Sequence, residues 1–478
     1  MATGRAAAAA NRFGLGARAG ELARIGQDPR GWLQAQLGAP PRIAAFDGLP
    51  GSRDYLTLYI QVQQQRRAAR ERMAAEGGAS GAGASNDRPK RVGGRNELRK
   101  ALLNELVLRQ GVAVASSDSF RERLVRFWSN HFAISVDKRI ASLFAAPMER
   151  EAIRPNATGR FGDLLLAVER HPGMLLYLDN ARSVGAGSRQ AQRAAQRTQA
   201  RPNARRRGLN ENLAREIMEL HTLGVNAGYT QADVIEFAKA ITGWSVARPH
   251  EAGGGNGFVF HAQAHEPGDR RVFGNFYRQA GEQQGIAILH ALAVHPATAQ
   301  HVSLKLARHF VADQPPPALV ERMARTWVDT GGDLARVCNT MLGDELAWDE
   351  GCRKFKNPDD FCLSALRACG LHDKTDLAMA MQMQGQLGQP VFQPRSPAGF
   401  GDVAADWGGP DALFKRVQAA QRLADRMQVG PEATPLALGQ AALGPALDMQ
   451  TATALRRAES VQQGVALLLG SPAFQWRT

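Results

Sequence analysis

Apolar residues recur at three- and four-residue spacing through most of this chain, and strict alternation is scarce. Leu98, Leu102 and Leu106 lead into Phe120, Leu124, Phe127 and Trp128 at intervals that lay a single stripe along a helix. The same spacing predicts helices over 138–153 and 159–171, two more over 208–243, and a series from Gln283 onward. Thr230, with Asp233 three residues on, predicts a capping box at one helix start. The expected fold is mainly α: a large multi-helix orthogonal bundle. The helical pattern stops over 248–276, where EAGGGNG precedes FVFHAQAHEPGDRRVFG and alternation predicts a small β-hairpin insertion.

Two segments read as mobile loops. EGGASGAGASNDRPKRVGGR (76–95) is dense in Gly, Ser, Asn and Pro. It reads as a linker between an N-terminal helical segment, 1–75, and a main helical domain, 96–478. Residues 184–207 hold seven arginines and no acid. Five of them recur every four residues, which would stack like charges on one helix face, so disorder is expected there.

The 478 residues carry a net charge of +14, with 44% hydrophobic and 22% charged residues. That is ordinary for a soluble globular chain except for the charge. A basic excess favours acidic partners. Much of it lies in the two loose segments, which disfavours a nucleic-acid role, although the arginine arm leaves a polyanion-binding reading open. No stretch of about 18 apolar residues predicts a membrane span. MATGRAAAAANRFGLG lacks the core and cleavage region of a signal peptide. The default expectation is therefore cytoplasmic, with a periplasmic location compatible. Cys338, Cys352, Cys362 and Cys369 form no CxxC pair, and buried thiols are expected.

NENLAREIMELHTLG (210–224) interleaves asparagines, glutamates, an arginine and a histidine with Leu213, Ile217, Met218, Leu220 and Leu223. On a helix Asn212, Glu216 and Glu219 share a face, and Arg215 can pair with Glu219. Two nearby carboxylates raise each other's pKa unless a cation lies between them. His131, Glu216, Glu219 and His265 could hold a divalent metal such as Zn, Mn or Fe. The same groups could instead work as acid and base on a hydrolysed bond, with Asn130, Asn212, Arg215 and Asp179 lining the cleft. Neither reading has the compact spacing of HExxH. The structural alternative is a helix crossing the bundle whose polar groups tie loops together. Trp128, Tyr177 and Trp244 could line a groove or anchor the core. Lys305 and His309, one turn apart on an apolar helix, read as core or boundary residues. Walker, GxSxG and GxGxxG motifs are absent, which disfavours nucleotide and α/β-hydrolase chemistry.

Several blocks together resemble the domain of unknown function 1800 family of bacterial proteins: RFGLG, FWSNHFAIS, GMLLYLDNARSVG, NENLAREIMELHTLGVNAGYT with AITGWS, HEPGDRRVFG and HPATAQHVSLKLARHFVAD. The resemblance spans nearly the whole chain and carries no established activity. It implies a helical protein, often encoded beside proteins that resemble sulfatases and alkaline phosphatases. A non-catalytic scaffold for such a partner is thus the alternative to an enzyme. The family often has HD where this chain has His265-Glu266, and Phe where it has His221, which sets His221 aside as an essential group.

Overall fold

A computed structural model describes residues 4–77, 94–138, 140–199, 208–225, 227–248, 251, 255–427 and 434–478. The chain is mainly α. Helices repeatedly start from a side-chain cap followed by proline. Asp28, His171, His295 and Asn357 each accept a backbone N–H from the first turn, with Pro29, Pro172, Pro296 and Pro358 next in sequence. Proline suits that position because the missing N–H has no partner to lose there. The Thr230–Asp233 capping box forms as its spacing predicts.

Apolar burial divides into two main clusters. The larger gathers residues from Ala6 to Trp348, and the second joins Leu15, Ala113 and Val114 to residues 361–474. RFGLG is the junction. Arg12, 1% exposed, donates to the carbonyls of Ala347 and Asp349. The Gly14 carbonyl accepts from Arg123, and the Gly16 carbonyl from Arg367. Gly16 has φ +94°, and a Cβ there would stand 2.7 Å from the Ser364 Cβ. Only glycine tolerates that conformation and that approach together.

Strands are few and all in two-stranded antiparallel pairs. The single hairpin expected over 248–276 is two pairings. Trp244–Val246 pairs with Phe258–Phe260, and Arg270–Val272 with Asn275–Tyr277. Phe273 and Gly274 both have positive φ, the geometry of a tight primed turn, and Asp233 anchors the Phe273 N–H at 2.7 Å. A third pair, Lys354–Phe355 with Trp476–Arg477, ties the end of the chain to the bundle.

The two expected loops come out differently. Residues 78–93 of the expected linker lie outside the described residues; its flanks are helical, Ser52–Gly77 and Gly94–Ala115. In the arginine-rich segment, Arg189–Gln199 is a helix, contrary to expectation, and 200–207 lie outside the described residues. The reason is physical. Exposed like charges at i,i+4 cost only about 0.2–0.5 kcal/mol per pair, while Ala, Gln and Arg are strong helix formers. Ser188 caps the start, and Arg193 bonds Gln263 at 2.8 Å.

Candidate functional site

The Ser119–His131 helix runs through the middle of the bundle, with every residue buried except Asn130. Three of its charged residues are neutralised from other segments, whereas Arg121 has only Asp118, 3.9 Å away. Arg123 meets Asp360 at 2.5 Å, Arg126 meets Asp359 at 2.8 Å, and Arg154 reaches Glu122 at 2.7 Å. Buried charges survive only when paired in this way. At the C-terminal end of this helix, His131 points at the NENLAREIMELH segment.

That segment starts as the α-helix Asn212–Glu216 and changes at Ile217 into a π-turn, Ile217–His221. The wider turn is closed by Thr222, whose hydroxyl donates to the Ile217 carbonyl at 2.7 Å. Single π-turns inside helices often accompany functional positions. This one directs His221 inward. Its Nδ1 lies 2.8 Å from Glu169 Oε1, with both side chains at 0% exposure. Neither carboxylate oxygen of Glu169 nor either ring nitrogen of His221 makes a hydrogen bond among the described residues, so the 2.8 Å contact is a close approach without hydrogen-bond geometry. His131 Nε2 donates to the His221 carbonyl at 3.1 Å, so His131 Nδ1 is the bare nitrogen, and it too is buried and unpartnered. Burial, with Lys305, His221 and His301 adding to it, drives the His131 pKa well below the usual imidazole value.

Glu216 lies one turn before this buried pair and is half-buried. Burial raises its pKa; His221 opposes the rise, and Glu219 adds to it. Among the described residues Glu216 makes no ion pair within 4 Å, whereas Arg215 lies 3.5 Å from Glu219 and 3.2 Å from Glu211. Two tyrosines flank the carboxylates. Tyr177 is raised by burial and by Glu216; Tyr229 is raised to about 12 by burial and by Glu219, to which it hydrogen-bonds. On the opposite side His301 faces the Leu220 carbonyl at 3.4 Å, and burial beside Lys305 brings its pKa to about 4. Lys305 makes no ion pair within 4 Å among the described residues. Burial lowers it to about 8, against the pull of Asp402. Asp402 itself contacts His309 at 3.1 Å.

The other expected site residues are engaged elsewhere. Asn130 exchanges two hydrogen bonds with the backbone of Phe400. Asp179 pairs with Lys138 at 2.7 Å. Asn212 is exposed, with its N–H on the Asn210 side chain, and Arg215 also donates to Gln231. His265 donates Nδ1 to the Thr242 carbonyl, and Glu266 accepts from the Gly187 N–H at 2.7 Å. A Cβ on Gly185 would collide with that Glu266 side chain. Among the described residues no three His, Cys, Asp or Glu side chains gather as a metal ligand set, so His131, Glu216, Glu219 and His265 do not converge as one. Glu169, Tyr229 and His301 join the site without any sequence signal of their own. His221, set aside on the resemblance, is its hub.

A triad-like trio lies apart from this site. Ser52 Oγ is 2.9 Å from His171 Nε2, and Glu151 is 3.3 Å from the same nitrogen. His171 Nδ1, however, accepts the Gly173 N–H, so neutral His171 carries its proton on Nε2. It cannot then take a proton from Ser52, and the trio is structural.

No helix among the described residues is long and apolar enough to cross a membrane. No curated protein and no solved structure matches the chain. The motifs placed above run in one order from RFGLG to the final strand, and they coincide with a family model matched over residues 8–476: the chain belongs to the DUF1800 family, proteins of unknown function.

Proposed function

We propose that the protein is an acid–base hydrolase in which Glu216 delivers the proton. The observation that carries this reading is the setting of Glu216. It is a half-buried carboxyl with a raised pKa, no ion-pair partner, and a second carboxylate, Glu219, one turn along. Two carboxyls in unequal environments are the arrangement that separates an acid from a base. Protonated Glu216 gives its proton to the departing oxygen. Glu219, held by Arg215 and Tyr229, takes one from the attacking water, so the proton balance closes once the two groups re-equilibrate. Tyr177 and Tyr229, partly buried beside the two carboxyls, are aromatic groups of the kind that favour a polyhydroxylated, glycan-like substrate. His131 and the His221–Glu169 pair act as positioning residues that hold the π-turn. Neither the proposed acid nor the proposed base requires a metal ligand set.

The test is turnover of a panel of nitrophenyl glycosides and acylated sugars. Glu216→Gln is expected to lower kcat by about 10²-fold or more with little change in KM and an unaltered far-UV spectrum. Undiminished turnover in that variant would reject the reading. A panel that is inert throughout, with a phosphatase-like protein co-purifying, would favour the scaffold alternative.

A further inference from the structure

A cleft of about 830 Å³ shares no lining residue with the Glu216 site. It lies between the 40–47 strip, the end of the Gly94–Ala115 helix, the start of the Ser119–His131 helix and the Arg154–Pro155 step. That volume falls in the range of small-molecule sites. Ile43, Phe46, Val112, Val125 and Pro155 supply apolar wall.

Four guanidinium groups line it together with the carboxylates of Asp47, Asp118 and Glu122, and three of the four have close counter-ions. Arg42 meets Asp47 at 2.9 Å, Arg150 meets Glu105 at 3.1 Å, and Arg154 meets Glu122 at 2.7 Å. Arg121 differs. Its side chain is 6% exposed, and its nearest carboxylate, Asp118, stays 3.9 Å away. It donates instead to the Gly38 carbonyl and, at 3.4 Å, to the Thr158 hydroxyl, while Nε has no hydrogen-bond partner among the described residues. A buried cation without a close counter-ion is costly, and a carboxylate brought into the cleft would offset that cost.

We infer that this cleft binds a small amphipathic carboxylate, with its chain along Ile43, Phe46 and Val112 and its charge toward Arg121. The neutral and cationic analogues of such a ligand lack the feature that Arg121 selects. The shared apolar wall alone would treat all three alike.

Equilibrium dialysis of the full chain with radiolabelled octanoate tests this, with octan-1-ol and octylamine as competitors. Saturable octanoate binding is expected, with octanol roughly tenfold weaker as a competitor and octylamine weaker still. Ala115→Trp, at an exposed position of the lining, is expected to abolish binding in a folded protein. Arg121→Gln is expected to weaken octanoate roughly tenfold and leave octanol unchanged. Should Arg121→Gln not fold, Ala115→Trp and the competitor ranking decide. Absence of saturable binding, equal competition by octylamine, or full binding in Ala115→Trp would each overturn the inference.

Discussion

His221 Nδ1 and Glu169 Oε1 stand 2.8 Å apart with no exposed surface on either side chain. The contact joins the Ile217–His221 π-turn to the end of the Phe161–Glu169 helix. Glu216 stands one turn earlier on the same segment, and His221 opposes the rise of its pKa.

Replacing His221 by the larger Phe leaves Glu169 buried without its partner. The expected loss is about 3–5 kcal/mol, the cost of an uncompensated buried charge. His221→Phe combined with Glu169→Leu should recover most of it. Urea denaturation of the three proteins reads both values, and a single variant as stable as wild type would show that the contact contributes nothing to stability.

Glu216→Gln should stabilise the protein at neutral pH. The folded pKa of Glu216 is raised above 4.5, chiefly by burial. Its favourable contribution is therefore complete below about 4.5 and is lost as pH rises through the folded value. Melting temperatures of wild type and variant should coincide near pH 4 and separate by pH 7, with Gln the higher.

Glu149 has the opposite sign. Burial alone would raise it, but Arg109 at 2.7 Å and Arg154 at 3.1 Å overcome that and hold it at about 2. Its stabilisation is present above 4.5 and disappears as pH falls toward 2. Glu149→Gln should cost about 3–5 kcal/mol at pH 7. The gap to wild type should shrink through that acid window, and a constant gap in acid titration would contradict the assignment.

Lys305, brought to about 8 by burial, is largely buried and makes no ion pair within 4 Å among the described residues. A lysine near that value has far more neutral amine at pH 7.5 than a surface lysine. Sub-stoichiometric acetic anhydride should modify the peptide holding Lys305 before those holding Lys415 and Lys374. Peptide mass spectrometry gives the order, and late labelling of Lys305 would count against the lowered value.

The helical body was legible because 3.6-residue periodicity is a local property. The Thr230–Asp233 cap could be read for the same reason, since both partners lie within one turn. The Arg189–Gln199 helix is not legible in the sequence, because like charges at four-residue spacing argue against a helix while Ala, Gln and Arg favour one. The polar motifs are legible in the sequence as blocks, but the partners of their side chains are not. Asn130, Asp179 and His265 turn out to fasten loops, and only tertiary contact shows their partners at Phe400, Lys138 and Thr242.

The order of local elements, the caps and the family were determined by the sequence alone, because each depends on residues near one another in the chain or on the motifs themselves. Which polar groups face each other was decided by the tertiary structure. Glu169 and His221 are 52 positions apart in sequence, and nothing in their spacing announces the contact. Burial of a charge is tolerable only where its partner arrives, and that arrival belongs to the packing of helices.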